Sequence, residues 1–427
     1  MSFENTFCSS PWFHMRINNR GDFRFCRWIR GSDGLVGNIA DISPIDFFQQ
    51  TMSTIRHGML QGQELSACGS CYLAEQHGKV LGRKKQLLKV GINIDEFPQT
   101  LLSSPWYKEF QHSDSTDGHT TLWPQDWQID LGNYCNSACI MCKPESSSML
   151  AVEFKKLGII QKLPMSSWCQ DPVLLTRFID TLRESPKIQY LHFIGGETII
   201  TPAFRTILTA LIDAGLHTTA SIGFTTNLTV WDDSINALLS QFHEVNLGVS
   251  VETLDHVNDY VRWPSNITSV KEVLSQWINF GRKHKWLIQI RPTPSILTIG
   301  HMLPLWDYAL TNNVSIESCN FLYRPDYMCP DVLPIDIRKT IINDMEEWLS
   351  DKIMSSELII NSRNPEFIYQ QVIQDLYSYV QYLNNQSDES HKLPELVKYL
   401  KLIETSRNNK IIDYLPEYEQ IFRLHGY

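Results

Sequence analysis

Residues 130–144 read Asp130-Leu131-Gly132-Asn133-Tyr134-Cys135-Asn136-Ser137-Ala138-Cys139-Ile140-Met141-Cys142-Lys143-Pro144, which places three cysteines in a C-x3-C-x2-C pattern directly after a short apolar run. Thiolates are soft ligands suited to zinc, copper(I) or iron–sulfur clusters, and three on one tight loop can hold three corners of a [4Fe–4S] cube. The fourth iron is then left without a protein ligand, and a small molecule can chelate it. A zinc site is the competing reading of the same spacing.

The surrounding sequence narrows the choice. The chain has 427 residues, long enough for two or three domains, and an apolar fraction of 43%, ordinary for a globular protein. Its formal net charge of −10 opposes electrostatic attachment to nucleic acid or anionic lipid, because such binding relies on Lys and Arg neutralising phosphates. Residues 1–11 are poor in basic residues and carry no long apolar run, so they read as neither a signal nor a transit peptide. No stretch approaches the roughly 20 apolar residues of a membrane span. The ten cysteines therefore read as reduced thiols of a cytoplasmic protein, available to metal, rather than as a disulfide framework.

From residue 127 to about 322 short apolar runs alternate with helical patterns. The runs are 127–131, 188–194, 220–225, 245–251, 287–291 and 315–322; segments such as 202–214, 232–242, 270–283 and 302–310 carry apolar residues at intervals of three and four. This alternation predicts βα units around a parallel sheet, and six units make a partial barrel. In such folds ligands bind beyond the carboxyl ends of the strands, so the residues that follow each run deserve the closest reading. Gly195-Gly196-Glu197 follows the second run; two glycines admit a ligand close to the backbone, and the carboxylate can accept hydrogen bonds from an ammonium group. Thr225-Thr226-Asn227 follows the third and Ser250-Val251-Glu252 the fourth, with Arg262 a little further on. Each of these polar residues could equally serve only its own turn, and Arg262 or Arg291 could be an exposed ion-pair partner.

Taken together, the three-cysteine loop and the strand-end motifs resemble the radical SAM superfamily. The resemblance implies a (β/α)6 TIM-like partial barrel in which Cys135, Cys139 and Cys142 hold a [4Fe–4S] cluster and S-adenosylmethionine chelates the open iron. It also implies reductive cleavage of that sulfonium to a 5′-deoxyadenosyl radical, which abstracts a hydrogen atom from substrate, and an electron donor such as a flavodoxin or ferredoxin. Gly195, Gly196 and Glu197 look like the motif that binds the methionyl amino group. Asn227, Ser250 and Glu252 resemble the polar residues near the cofactor, and Arg262 would suit a carboxylate bidentately. The residue before the third cluster cysteine is usually aromatic in this superfamily and packs near the adenine; here it is Met141, whose thioether can make a comparable contact with a π-system.

The first ninety or so residues carry a second cysteine set. Cys8, Gly21-x4-Cys26 and Cys68-Gly69-Ser70-Cys71 resemble a twitch (short SPASM-like) module placed at the N-terminus, whose role in its family is to bind an auxiliary [4Fe–4S] cluster. Four cysteines would hold a structural zinc equally well. Between them, residues 42–60 show helical spacing through Phe47, Phe48, Met52, Ile55 and Met59, while residues from 92 to 121 look irregular, with Pro98, Pro105 and a polar run. The domain reading is an auxiliary module at 1–92, a linker at 93–121, the barrel at 122–325 and a helical C-terminal region at 326–427.

Three cysteines remain. Cys319 lies in an apolar run and reads as core, Cys169 suggests no role, and Cys329 follows the sixth strand, where a thiol could donate a hydrogen atom to a substrate radical. Within the resemblance, modification of a peptide is the favoured activity, because the long helical tail offers surface for a leader or partner. Dehydrogenation, epimerisation or rearrangement of a small metabolite is the alternative, and a zinc-binding interaction protein is the reading from another class.

Overall fold

The computed structural model describes residues 4–27, 29, 37–76, 82–318, 321–322, 324–355 and 365–427. It is a mixed α/β protein with two compact units, one of Met1–Gly132, Met165–Gly223 and Ser234–Glu244, the other of Asn133–Pro164, Phe224–Asp233 and Val245–Tyr427. No helix among the described residues is long and apolar enough to cross a membrane.

In the first unit the strands are β1 (His14–Ile17), β2 (Asp22–Arg24), β3 (Gly37–Asn38), β4 (Asp126–Asp130), β5 (Tyr190–Ile194) and the start of β6 (Ser221–Thr226). They lie in the order β3-β2-β1-β4-β5-β6; the neighbouring pairs β1-β4, β4-β5 and β5-β6 are parallel, and β2 runs antiparallel to both β1 and β3. A period of two divides the faces. Met15, Ile17, Trp127, Ile129, Leu191 and Phe193 are buried on one side, where Trp127 meets Phe178 and Phe193 meets Phe204 edge-on from the helices Pro172–Glu184 and Pro202–Asp213. His14, Arg16, Asp126, Gln128, Tyr190 and His192 alternate with them on the other face.

Two sequence expectations change here. The N-terminal cysteine segment contributes β1 directly to the sheet beside β4, so it is continuous with the strands that follow it. Residues 93–121, expected as an irregular linker, contain helices Phe97–Ser103 and Tyr107–Ser115. Pro98 lies in the first turn of its helix, where a proline's missing N–H costs nothing, so the proline that looked like a breaker is a starter. Phe97 and Phe110 pack edge-on against the buried Phe7, and Phe110 against Trp12, which knits this segment to the N-terminus.

The second unit contains β7 (Glu244–Val249), β8 (Leu287–Ile290) and β9 (Ser315–Ile316), parallel from β7 to β9. The helix Ile267–His284 links β7 to β8; Asn266 caps its N-terminus, Val270, Leu274, Trp277 and Ile278 form its buried stripe, and Arg282, Lys283 and His284 sit at its negative end. The last strand is two residues long, shorter than the run expected at 315–322. Helix Pro365–Asn384 explains the stop: Gln371 accepts from the Ile316 N–H, and the buried Asp375 carboxylate accepts from the Ser318 N–H at 3.0 Å, so side chains cap the sheet edge. Cys319, expected in the core, lies outside the described residues.

Asp126 is a heavily partnered carboxylate of the first unit. It is 5% exposed and meets His14, Arg27 and Lys89 at 3.1, 3.0 and 2.9 Å. Burial pushes its carboxyl up, but the His14 contact and the two cations overcome this and hold it well below the usual carboxylate range. Burial keeps the His14 ring below its own usual range despite Asp126, so that contact is a hydrogen bond from a neutral ring and the charge balance falls to Arg27 and Lys89. A carboxylate whose pKa is depressed on folding stabilises the protein above its unfolded value of about 4, and the gain is lost as pH falls below it. Asp126→Asn should therefore cost about 2 kcal/mol at pH 7, an amount reduced because both cations are partly exposed. Thermal unfolding of both proteins should show the gap narrowing at pH 3; a gap independent of pH would contradict the assignment.

Candidate active site

The start of the three-cysteine stretch is interlocked with the glycine turn after β5 in the first unit. Leu131 N–H donates to Ile194 O at 2.8 Å, and Gly196 N–H to Gly132 O at 2.7 Å. Gly195 has φ +143°, and a Cβ there would lie 2.6 Å from Gly132 O, so only glycine permits this approach. Glu197, next in the motif, is 1% exposed, with its Oε1 accepting from Ile199 N–H at 3.3 Å.

The cysteines themselves belong to the second unit. A loop this irregular has few backbone bonds of its own, so neighbouring groups satisfy it. Ser148 bonds the N–H and the carbonyl of Cys135, both at 3.2 Å. Ser147 donates to Ser137 O and caps the helix Ser148–Lys156. Asn227, expected near the cofactor, donates through Nδ2 to Asn136 Oδ1 and Ser137 Oγ, each at 2.9 Å, and its Oδ1 accepts from Thr229. Ala138 N–H donates to Trp263 O and Ile140 N–H to Val261 O, so the segment around Cys139 runs as a ribbon beside residues 261–263.

That pairing places Arg262 next to the cysteines. Its Nη1 is 3.8 Å from Cys139 Sγ, and its Nε and Nη2 both donate to Glu252 Oε1. Glu252 is fully buried, and its Oε2 accepts from Thr293 N–H. Burial pushes this carboxyl up, yet three donated N–H groups favour its ionised form. Burial also works against the Arg262 charge, but Glu252 and the Cys139 sulfur more than offset it and the guanidinium stays protonated. The Glu252–Arg262 ion pair and the Cys139 sulfur therefore form one cluster, whereas Ser250 stands at the end of β7 with its N–H on Thr226 O. Burial pushes the Cys139 thiol up with Arg262 opposing; burial and then Cys139 push Cys142 up to about 11. Met141 is half-buried on the same loop.

The N-terminal cysteines also converge. Cys8, Cys26, Cys68 and Cys71 line one small cavity with Phe25, Met59 and Arg83. Cys8 is pushed far up, first by burial and then by Cys26, Cys68 and Cys71, and Cys68 is pushed up to about 12 by burial and the neighbouring thiols. Four sulfurs that share a cavity, and whose charged forms would repel one another, suit a cation or a cluster that takes up the charge. Arg83 fastens the two sides: it pairs with Glu75 on the cysteine-bearing helix Gly69–Gln76 and donates to Phe7 O at 3.1 Å, one residue before Cys8. Among the described residues no three Cys, His, Asp or Glu side chains already stand at metal-ligand spacing. Both sets fit a metal group by ligand number, softness and shared surroundings, not as preformed cages.

Cys329 is buried, with Sγ 2.9 Å from Leu322 O, and burial pushes its thiol up to about 11. Cys169 is buried in the first unit on Leu131 O. The sequence reading missed Tyr399, Arg407 and Glu153, which touch or support the cysteine loop; nothing local in their sequence marks them.

No protein-family model matches the chain, and no curated protein is similar to it in sequence. Solved structures similar to it include Streptococcus suis SuiB bound to S-adenosylmethionine, at 13% identity over 70% of this chain and a TM-score of 0.36. SuiB bound to its precursor peptide SuiA is 14% identical over 82% of this chain and 70% of that one, with a TM-score of 0.38. Native anSMEcpe with bound AdoMet is 15% identical over 53% of this chain and 61% of that one, with a TM-score of 0.39. The match to the first of these spans 64% of the SuiB chain.

Proposed function

We propose that this chain is a radical SAM enzyme that acts on a peptide. The observation that carries the reading is the loop of Cys135, Cys139 and Cys142, half-buried, held through its backbone and flanked by the charged Arg262–Glu252 pair. When bound, a [4Fe–4S] cluster with S-adenosylmethionine on its open iron supplies the 5′-deoxyadenosyl radical that abstracts a hydrogen atom from substrate. Everything else falls to the residues. Cys135, Cys139 and Cys142 hold the cluster. Arg262 faces Cys139 Sγ and offsets thiolate charge, while Glu252 keeps that guanidinium ionised and oriented. Asn227 steadies Asn136 and Ser137 between the first two cysteines. Gly195, Gly196 and Glu197 offer a bare backbone and a buried carboxylate for the amino group of the cofactor, and Met141 a thioether for its adenine. Cys329, kept as a thiol by burial, is our candidate hydrogen donor. The peptide preference draws on the helical C-terminal region, which offers surface for a leader.

The direct test is anaerobic reconstitution followed by measurement of 5′-deoxyadenosine. Replacing Cys135, Cys139 and Cys142 by Ala should abolish its formation and leave about half of the iron, as expected for two clusters of equal size. Retained cleavage in that triple variant would sink the assignment.

Cys8, Cys26, Cys68 and Cys71 would fully ligate an auxiliary cluster, leaving no vacant iron, so its part is electron relay or support of the fold. After anaerobic reconstitution with both metals offered, the first unit should retain iron and sulfide. Zinc bound in their place would show that this second set is structural.

A further inference from the structure

The helix Leu393–Arg407 carries no motif, yet two of its side chains bond the backbone of the cysteine loop. Tyr399 OH donates to Ile140 O at 2.8 Å, and Arg407 Nη2 donates to Ala138 O at 2.7 Å. These are the carbonyls of the residues on either side of Cys139. The N–H groups of the same two residues are already bonded to Val261 O and Trp263 O. All four peptide groups flanking Cys139 are thus fixed, two by the ribbon and two by this helix.

The helix is itself anchored. Arg407, whose side chain is 1% exposed, forks onto Glu153 with Nε–Oε1 and Nη2–Oε2 at 2.8 and 2.6 Å and lies over the Trp263 ring. A buried ion pair of this kind adds little net stability but demands one geometry, because removing either partner strands a buried charge. Glu404, one turn earlier, accepts from Tyr260 OH and from Tyr427 OH. Tyr260 belongs to the short helix Val257–Val261 that leads into Arg262. One helix therefore grips both the cysteine loop and the segment that presents the arginine to it.

We propose that Tyr399 and Arg407 are positioning residues: they set the place of Cys139 by holding the Ala138 and Ile140 carbonyls, and with it the reduction potential of a cluster bound there. The first half stands on the contacts alone, and the second rests on the function proposed above. Tyr399→Phe removes only the hydroxyl, since the ring keeps its neighbours Phe154 and Tyr327. Arg407→Lys keeps the charge but loses the fork. Tyr427→Phe loosens the same helix without touching the loop and serves as the control.

Two readouts separate the halves. In hydrogen exchange of the full chain as purified, the peptide covering 133–147 should exchange at least about fivefold faster in Tyr399→Phe and in Arg407→Lys, the scale of one lost hydrogen bond, and unchanged in Tyr427→Phe. After iron loading to the wild-type level, the midpoint potential of the S-adenosylmethionine-responsive cluster should shift in the first two variants and not in the control. Equal exchange in all three variants would overturn the positioning role, and faster exchange with an unmoved potential would overturn its effect on the cluster. A wild-type protein that takes up no iron would count against the proposed function while leaving the exchange result to decide the brace.

Discussion

Three thiolates can share one short loop only if something other than the loop holds them together. Charged sulfurs repel, burial makes the charged forms costlier still, and an irregular loop satisfies few of its own peptide groups. The structure meets this constraint from several sides. Ser147 and Ser148 hold the two ends of the first half, Asn227 the middle, and a ribbon with residues 261–263 and the helix Leu393–Arg407 the surroundings of Cys139. These supports come from segments far apart in the chain, so the site exists only when the second unit is folded.

Charge follows the same logic. A guanidinium beside Cys139 would be expensive to bury alone, and the buried Glu252 that pairs with it would be equally expensive without Arg262 and the Thr293 N–H. The pair is thus an electrostatic device rather than a source of stability: it brings a positive charge to the sulfur and fixes its direction. The N-terminal set solves the problem differently. There Arg83 joins the segment of Cys8 to the helix of Cys71 through a carbonyl and a carboxylate, and its charge lies close to the sulfurs that line the cavity.

Much of the scaffold was legible in the sequence because periodicity reports burial directly. The runs at 127–131, 188–194 and 220–225 became β4, β5 and β6 within a residue or two, and the stripe through Val270, Leu274 and Trp277 became one helix. The misreadings have physical causes. Pro98 hid a helix start, and β9 stops early because Gln371 and Asp375, more than fifty residues away, occupy its backbone. That β1 lies parallel to β4 could not be read from four residues, although His14-Met15-Arg16-Ile17 alternates correctly. The cysteines and the Gly195 turn drew notice in the sequence by residue type alone. Asn227 and Arg262 were marked as cofactor contacts, and the structure engages both with the cysteine loop itself. Tyr399 was invisible because its partner Ile140 is 259 positions away and the contact is to a backbone carbonyl, which leaves no signature in sequence.

The central claim is that the three-cysteine loop leaves one iron open to S-adenosylmethionine. The most direct measurement is low-temperature electron paramagnetic resonance of the anaerobically reconstituted, dithionite-reduced protein, recorded with and without S-adenosylmethionine. The account predicts a reduced [4Fe–4S] signal whose g-values change when S-adenosylmethionine is added, and the loss of that responsive signal when Cys139 is replaced by Ala. Cluster signals indifferent to S-adenosylmethionine, or a response that survives Cys139→Ala, would contradict it.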